Sequence, residues 1–226
     1  MKKLEEDLAD LRRLVIEMGN LTEEMVVKSI KAVDVADRDE LISAVMKDEE
    51  RLDQMQLDID KEAIRLLTVY SPVAGDLRFV MSVSRITAEL ERIGDHSTNM
   101  CENIQLMASK AITEVEPEVQ QMGSIVNEMV SDALNAFLHS DHRKARSTIA
   151  KDDLVDSIND QIVEELLSDE LVKEVLAGNR DIAGALSQML IARSLERIAD
   201  QATNISEEVV YMVKGDDIRH EETAQS

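Results

Sequence analysis

The phrase LERIGDHSTN at Leu90–Asn99 returns as LERIADQATN at Leu195–Asn204, identical at seven of ten positions. A repeat of this kind constrains the fold more than any single motif, because each copy must make the same unit. Sliding the chain on itself by 103 to 105 residues brings further features into register. Met18-Gly19 falls on Met122-Gly123, Glu24-Met25-Val26 on Glu128-Met129-Val130, Asp37 on Asp141, and Lys47-Asp48-Glu49 on Lys151-Asp152-Asp153. Around the phrase itself, Phe79, Val83, Ile86, Leu90, Ile93, Ser97, Met100, Ile104 and Met107 step alternately by four and three. That spacing is the buried seam of a long helix packed on other helices. Ile191, Leu195, Ile198, Ala202, Ile205, Val209 and Met212 repeat it, each 105 residues on.

Stop signals divide each copy into three helices. The pattern predicts helices over 4–36, 39–69 and 72–110, then over 117–139, 142–168 and 180–214. Ser71-Pro72 reads as an N-cap followed by Pro at the first helical position, and Pro117 as a similar start. Asp37 or Asp39, and Asp141, are candidate N-caps, and Gly178-Asn179 and Gly215 are candidate helix ends. The expectation is an all-α protein of two tandem, duplicated three-helix bundles with six long helices. Residues 1–110 form the first, 111–116 a linker, 117–215 the second, and 216–226 a flexible tail. With two Pro, seven Gly and 2% aromatic residues, the core must come from aliphatic side chains and the twelve Met.

Charge narrows the function. Acidic residues outnumber basic ones by 47 to 25, a formal net charge of -22. Such a surface repels nucleic-acid backbones and anionic lipid; it suits cations or a basic partner. The start MKKLEEDLADL places acids where a signal peptide needs an apolar run, and no stretch approaches the ~20 apolar residues of a transmembrane helix. The expectation is a cytoplasmic protein. The single Cys101 excludes an intrachain disulfide and a Cys-based zinc motif, and reads as a small packing residue.

Residues four apart share a helix face. Glu91/Asp95 and Glu196/Asp200 are such pairs, pointing away from the seam, and Asn99 and Asn204 extend each stripe as further candidate ligands. The preceding helix of each copy carries a second pair, Glu49/Asp53 and Asp152/Asp156. Facing pairs would gather four carboxylates at one spot in each copy, and anions so placed repel unless a cation sits among them. Oxygen-only sets suit hard cations such as magnesium, calcium, manganese or iron. A solvated acidic face is the ordinary reading of one such pair, but four pairs in matching places favour metal. No Glu is followed three residues later by His, against a di-iron oxidase, and His96 reads as an exposed helical histidine. No phosphate-binding loop or nucleophile elbow is present, so the expectation is no enzyme. A metal-carboxylate enzyme and a metal-free helical scaffold remain the alternatives.

These residues resemble the PhoU family of phosphate-uptake regulators, through SPVAGDLR at Ser71–Arg78, ERIGDHSTN at Glu91–Asn99 and ARSLERIADQATNISEEVVYMVKG at Ala192–Gly215. Tyr70-Ser71-Pro72 stands where Arg-Gln-Pro is common in the family. The resemblance implies tandem three-helix bundles, assembled as a cytoplasmic homodimer. It also implies multinuclear metal clusters, of iron, manganese, magnesium or zinc, on Glu49/Asp53, Glu91/Asp95, Asp152/Asp156 and Glu196/Asp200. The implied role is negative control of phosphate uptake and of the phosphate-starvation response. Its implied partners are the ATP-binding subunit of a phosphate ABC transporter and a membrane sensor histidine kinase.

Overall fold

The computed structural model describes residues 2–35, 38–108, 115–166, 168–169, 173, 176–177 and 182–219. Among them there is no strand. The helices are α1 (Lys2–Asp34), α2 (Asp39–Tyr70), α3 (Ala74–Ala108), α4 (Pro117–His139), α5 (His142–Ile149), α6 (Asp152–Leu166) and α7 (Ile182–Lys214). Helices α1–α3 form one bundle and α4–α7 the other. The seam positions with described side chains are all buried, from Phe79 to Ile104 and from Ile191 to Met212. Met107 lies outside the described side chains.

Four local expectations change. Ser71 closes α2 rather than opening α3: it adopts the left-handed conformation (φ 45°), and its N–H donates to the Leu67 carbonyl at 3.1 Å. Pro72 and Val73 lie outside any helix, and α3 starts at Ala74. Asp39 is the first helical residue of α2; the N-cap is Arg38, which makes no capping side-chain bond, and Asp37 lies outside the described residues. The single helix expected over 142–168 is broken at Ala150-Lys151. There Thr148 Oγ1 bonds back to the Lys144 carbonyl, a habit that bends helices, and Lys151 reaches away to Glu128 and Asp132 on α4. Asp141 caps α5 as expected, accepting from the N–H groups of Arg143 and Lys144 at 2.9 and 3.1 Å. Pro117 opens α4, and Gly215, at φ 81°, ends α7. Gly178-Asn179 lies outside the described residues.

The bundles share one continuous apolar core. Two crossings join them. On α1 and α4, Gly19 receives Leu134, whose Cδ2 would lie 2.5 Å from an added Cβ, and Gly123 receives Ile30 at 3.2 Å. These are the same contact made twice, since Gly123 and Leu134 stand 104 residues beyond Gly19 and Ile30. The other crossing pairs α3 with α7, antiparallel: Ser82 and Arg85 meet Glu208, and Asn204 meets Glu89. A pseudo-two-fold axis therefore passes between α3 and α7 and relates the bundles. Consequently α2, α3, α7 and α6 form one layer, with α1 and α4 behind it.

At one end of this junction Glu208 is buried, and a buried carboxylate needs compensation. Arg85 and Arg219 donate to it at 3.0 and 3.1 Å, and Ser82 Oγ at 3.3 Å. Arg219 also pairs with Asp217, and Ile218 packs on the core. Asp216–Arg219 is thus tied down; residues 220–226 lie outside the described residues. Nearby the chain's two phenylalanines, Phe79 on α3 and Phe137 on α4, stack across the junction at 6.4 Å. The Arg12 guanidinium lies over both rings, at 4.7 and 5.2 Å, and donates to the Phe137 carbonyl at 2.9 Å.

Candidate functional site

In the first bundle α2 and α3 run antiparallel, their register fixed where Ser84 Oγ donates to Asp60 at 3.1 Å. One level further from the connecting turn, α2 brings Glu49 and Asp53 to face Glu91 and Asp95. Gly94 is what lets the helices approach there, because a Cβ on it would stand 2.3 Å from Leu52 Cδ2. Glu49 is pushed toward its protonated form by burial, then by Asp53 and Asp95, with Glu50 and Glu102 adding to the field. Glu91 is pushed the same way by burial, then by Asp95 and Asp53, against a smaller pull from Arg92. Each pair thus feels the other across the interhelical groove. Among the described residues none of these four carboxylates makes an ion pair or a side-chain hydrogen bond. Arg92, which follows Glu91, bonds Glu89 instead, at 3.0 and 3.2 Å.

The second bundle repeats the set. Asp200 is pushed up to about 6 by burial first, then by Asp152, Glu196 and Asp156, with Arg197 opposing. The structure therefore brings together all eight carboxylates marked by the sequence, in two quartets. Glu49, Glu91, Asp95, Asp152, Glu196 and Asp200 are half-buried, while Asp53 and Asp156 are exposed. Both quartets lie on the outer face of the α2–α3–α7–α6 layer, because the pseudo-two-fold axis is normal to it.

The two asparagines behave differently. Asn99 is exposed, and its backbone carbonyl accepts from Asn103. Asn204 points its amide across the bundle junction to Glu89, at 3.4 Å. His96 is half-buried rather than exposed; burial, then Arg197 across the junction, holds it below the usual histidine range, with Asp95 opposing. Cys101 is buried, and burial pushes its thiol up to about 12, which suits packing and not reactivity. Sequence reasoning missed a third acidic group. Among the described residues, the carboxylate oxygens within 4.8 Å of one another are those of Glu116, Glu118 and Glu165. Glu116 and Glu118 flank Pro117 at a spacing of two, off the helical period, so no face pattern announces them. The oxygens of each quartet are more widely spaced than those of this trio.

Two copies of one helical module, each carrying an acidic cluster on the same face, define the class: a duplicated all-α protein with paired carboxylate sites. The chain belongs to the PhoU family: the PhoU domain model matches it twice, over residues 15–104 and 119–209. It is 34% identical over 219 residues to a phosphate-specific transport system accessory protein PhoU homolog of Aquifex aeolicus, covering 97% of this chain and 96% of that protein. It is 32% identical over 214 residues to the accessory protein PhoU of Escherichia coli, covering 95% and 86%. The crystal structure of PhoU from Pseudomonas aeruginosa superposes with a TM-score of 0.86 at 35% identity, covering 94% of this chain and 99% of that one. PhoU from Streptococcus pneumoniae, a phosphate transport system regulatory protein, gives 0.84 at 27% identity, covering 95% and 99%. The relatives it matches are phosphate transport accessory and regulatory proteins, and the family is one of regulators and not of enzymes. No helix among the described residues is long and apolar enough to cross a membrane.

Proposed function

We propose that this protein is a metal-binding, cytoplasmic negative regulator of phosphate uptake. In this reading it links a phosphate ABC transporter, through the ATP-binding subunit, to a sensor histidine kinase, and acts as a homodimer. The observation that carries the metal part is the pair of carboxylate quartets, each gathered on two helices, with the four acids of the first making no ion pair among the described residues. Glu49, Asp53, Glu91 and Asp95 would hold one site; Asp152, Asp156, Glu196 and Asp200 the other. The donor set fits a hard cation, being all oxygen, partly exposed and destabilised by its own repulsion. A bound cation would supply the missing positive charge and draw the two helices together. Iron, manganese, magnesium and zinc are the candidates. A regulator without reactive groups acts by binding one partner state better than another.

The test uses protein purified without chelator, with bound metal measured by elemental analysis and binding by calorimetry. Asp95→Ala should empty the first site and leave the second filled, and Asp200→Ala the reverse. Unchanged stoichiometry in both variants overturns carboxylate ligation. A strain lacking the protein should express phosphate-scavenging genes when phosphate is plentiful; normal repression there overturns the regulatory role.

A further inference from the structure

The outer face that carries the quartets also carries exposed apolar side chains, and these obey the duplication. Leu77 and Met81 on α3 are 39% and 41% exposed, and their equivalents 105 residues on, Ile182 and Leu186 on α7, are 65% and 53% exposed. In helical phase Leu77 and Met81 align with Asp95, as Ile182 and Leu186 align with Asp200, so all lie on one side of the layer. Across the α2–α3 groove Ile64, 63% exposed, joins the first patch. Sequence drift has changed the class of many other equivalent positions, Arg12 to Glu116 and Phe79 to Gly184 among them. These two stayed large and apolar on the surface in both copies, where folding gives no reason for it. The antiparallel packing of α3 on α7 puts the patches at opposite ends of the face. Each lies about 22 Å along the helix from the pseudo-two-fold axis, so roughly 45 Å separate them at 1.5 Å per residue. Asp60, which accepts from Ser84 across the α2–α3 groove, borders the first patch, and the quartets fill the space between.

We propose that this face is a docking surface for a partner that presents two basic amphipathic helices related by a two-fold axis, one for each patch. The inference rests on the reading of the chain as an accessory protein that works through a partner. An apolar stripe on each helix would cover one pair, and flanking Lys or Arg would meet the acidic border. A second copy of this chain is the poorer occupant. Placing two such faces together would set acidic quartets against acidic quartets.

The probe is a 14-residue Leu/Lys amphipathic helix, offered singly and as two copies joined by a polyproline spacer of about fifteen residues, long enough to span about 45 Å. Binding to the full-length protein is followed by fluorescence anisotropy. The joined probe should bind at least tenfold tighter than the single one, because its second contact is intramolecular. L77S/M81S and I182S/L186S should each abolish that gain. The quadruple variant, at unchanged charge, should weaken the single probe tenfold or more while keeping its melting temperature and its metal. Equal affinity for both probes, or full binding by the quadruple variant, overturns the inference. So does self-association of the parent that the quadruple variant loses, which would assign the face to a second copy. A quadruple variant that restores full repression to a deletion strain also overturns it, and leaves the proposed function standing.

Discussion

The two bundles keep one plan and solve it with different side chains. Beneath the first quartet Gly94 admits Leu52; the equivalent positions in the second bundle hold Ala199 and Val155, both buried. One methyl gained on the third helix is matched by a methylene lost on the second. A similar exchange occurs in charge. In the first bundle Lys28 on α1 pairs with Asp48 on α2 at 2.6 Å, whereas in the second Asp132 on α4 pairs with Lys151 ahead of α6 at 2.9 Å. Cation and anion have traded helices. Glu24 and its equivalent Glu128 follow the cation in both cases, at 3.6 and 2.9 Å. What the copies hold in common is the volume at the helix crossing, the closure of charge beside it, and the carboxylate quartet. The quartet keeps its residue class in both copies, every member being Asp or Glu.

The largest effect would come from breaking the core that the copies share. Ile93→Asp and its equivalent Ile198→Asp should each cost about 3–5 kcal/mol, since each buries an unpaired charge on a seam. Because the core is continuous, either variant should melt in a single transition at lower temperature. Two separate transitions, one unchanged from the parent, would show that the bundles are independent. A smaller effect should follow from exchanging the crossing residues. Gly94→Ala, with its Cβ 2.3 Å from Leu52, should destabilise by about 1–3 kcal/mol through overpacking. Adding Leu52→Val recreates the pairing of the second bundle and should restore most of that loss. A double variant no more stable than Gly94→Ala would mean the two crossings are not equivalent.

The sequence made the helical core legible because its 4–3 spacing runs for eight turns and is written twice. The quartets were legible for the same reason: carboxylates at i, i+4 on adjacent helices of a three-helix bundle must meet. Features set by tertiary contact were not visible. Nothing local to Ala150-Lys151 shows that Lys151 is drawn to Asp132 and Glu128, so the break between α5 and α6 could not be read. Ser71-Pro72 satisfied the rule for a helix start, yet the left-handed Ser71 belongs to the helix before it. Side-by-side packing through Gly19 and Gly123 also went unread, although both glycines were in register, since a glycine in a helix does not name what approaches it.

The quartets differ in one respect that pH can expose. Asp200 is held at about 6 in the folded protein, against an ordinary value of 3.8, by burial and by the three acids around it. A carboxyl whose folded value is raised binds its proton more tightly folded than unfolded. Its contribution to the metal-free protein is therefore greatest at low pH and is lost as pH rises from about 4 through 6. Acids held low by partners, such as Asp132 beside Lys144 and Lys151 or Asp141 at its cap, work in the opposite sense, so the raw stability curve is mixed. The difference between parent and Asp200→Asn isolates the site. Asparagine keeps the shape and removes the charge; because Asp200 is only half-buried, solvent screens part of the field, and the variant should gain no more than about 1–2 kcal/mol over the parent at pH 7 and little at pH 4. Saturating metal should reverse the order at pH 7, since the cation stabilises the ionised quartet and the variant has lost a ligand. Chemical denaturation at both pH values, with and without manganese, checks all four points. An advantage for Asp200→Asn that is independent of pH would show that its charge is not what the folded quartet resists.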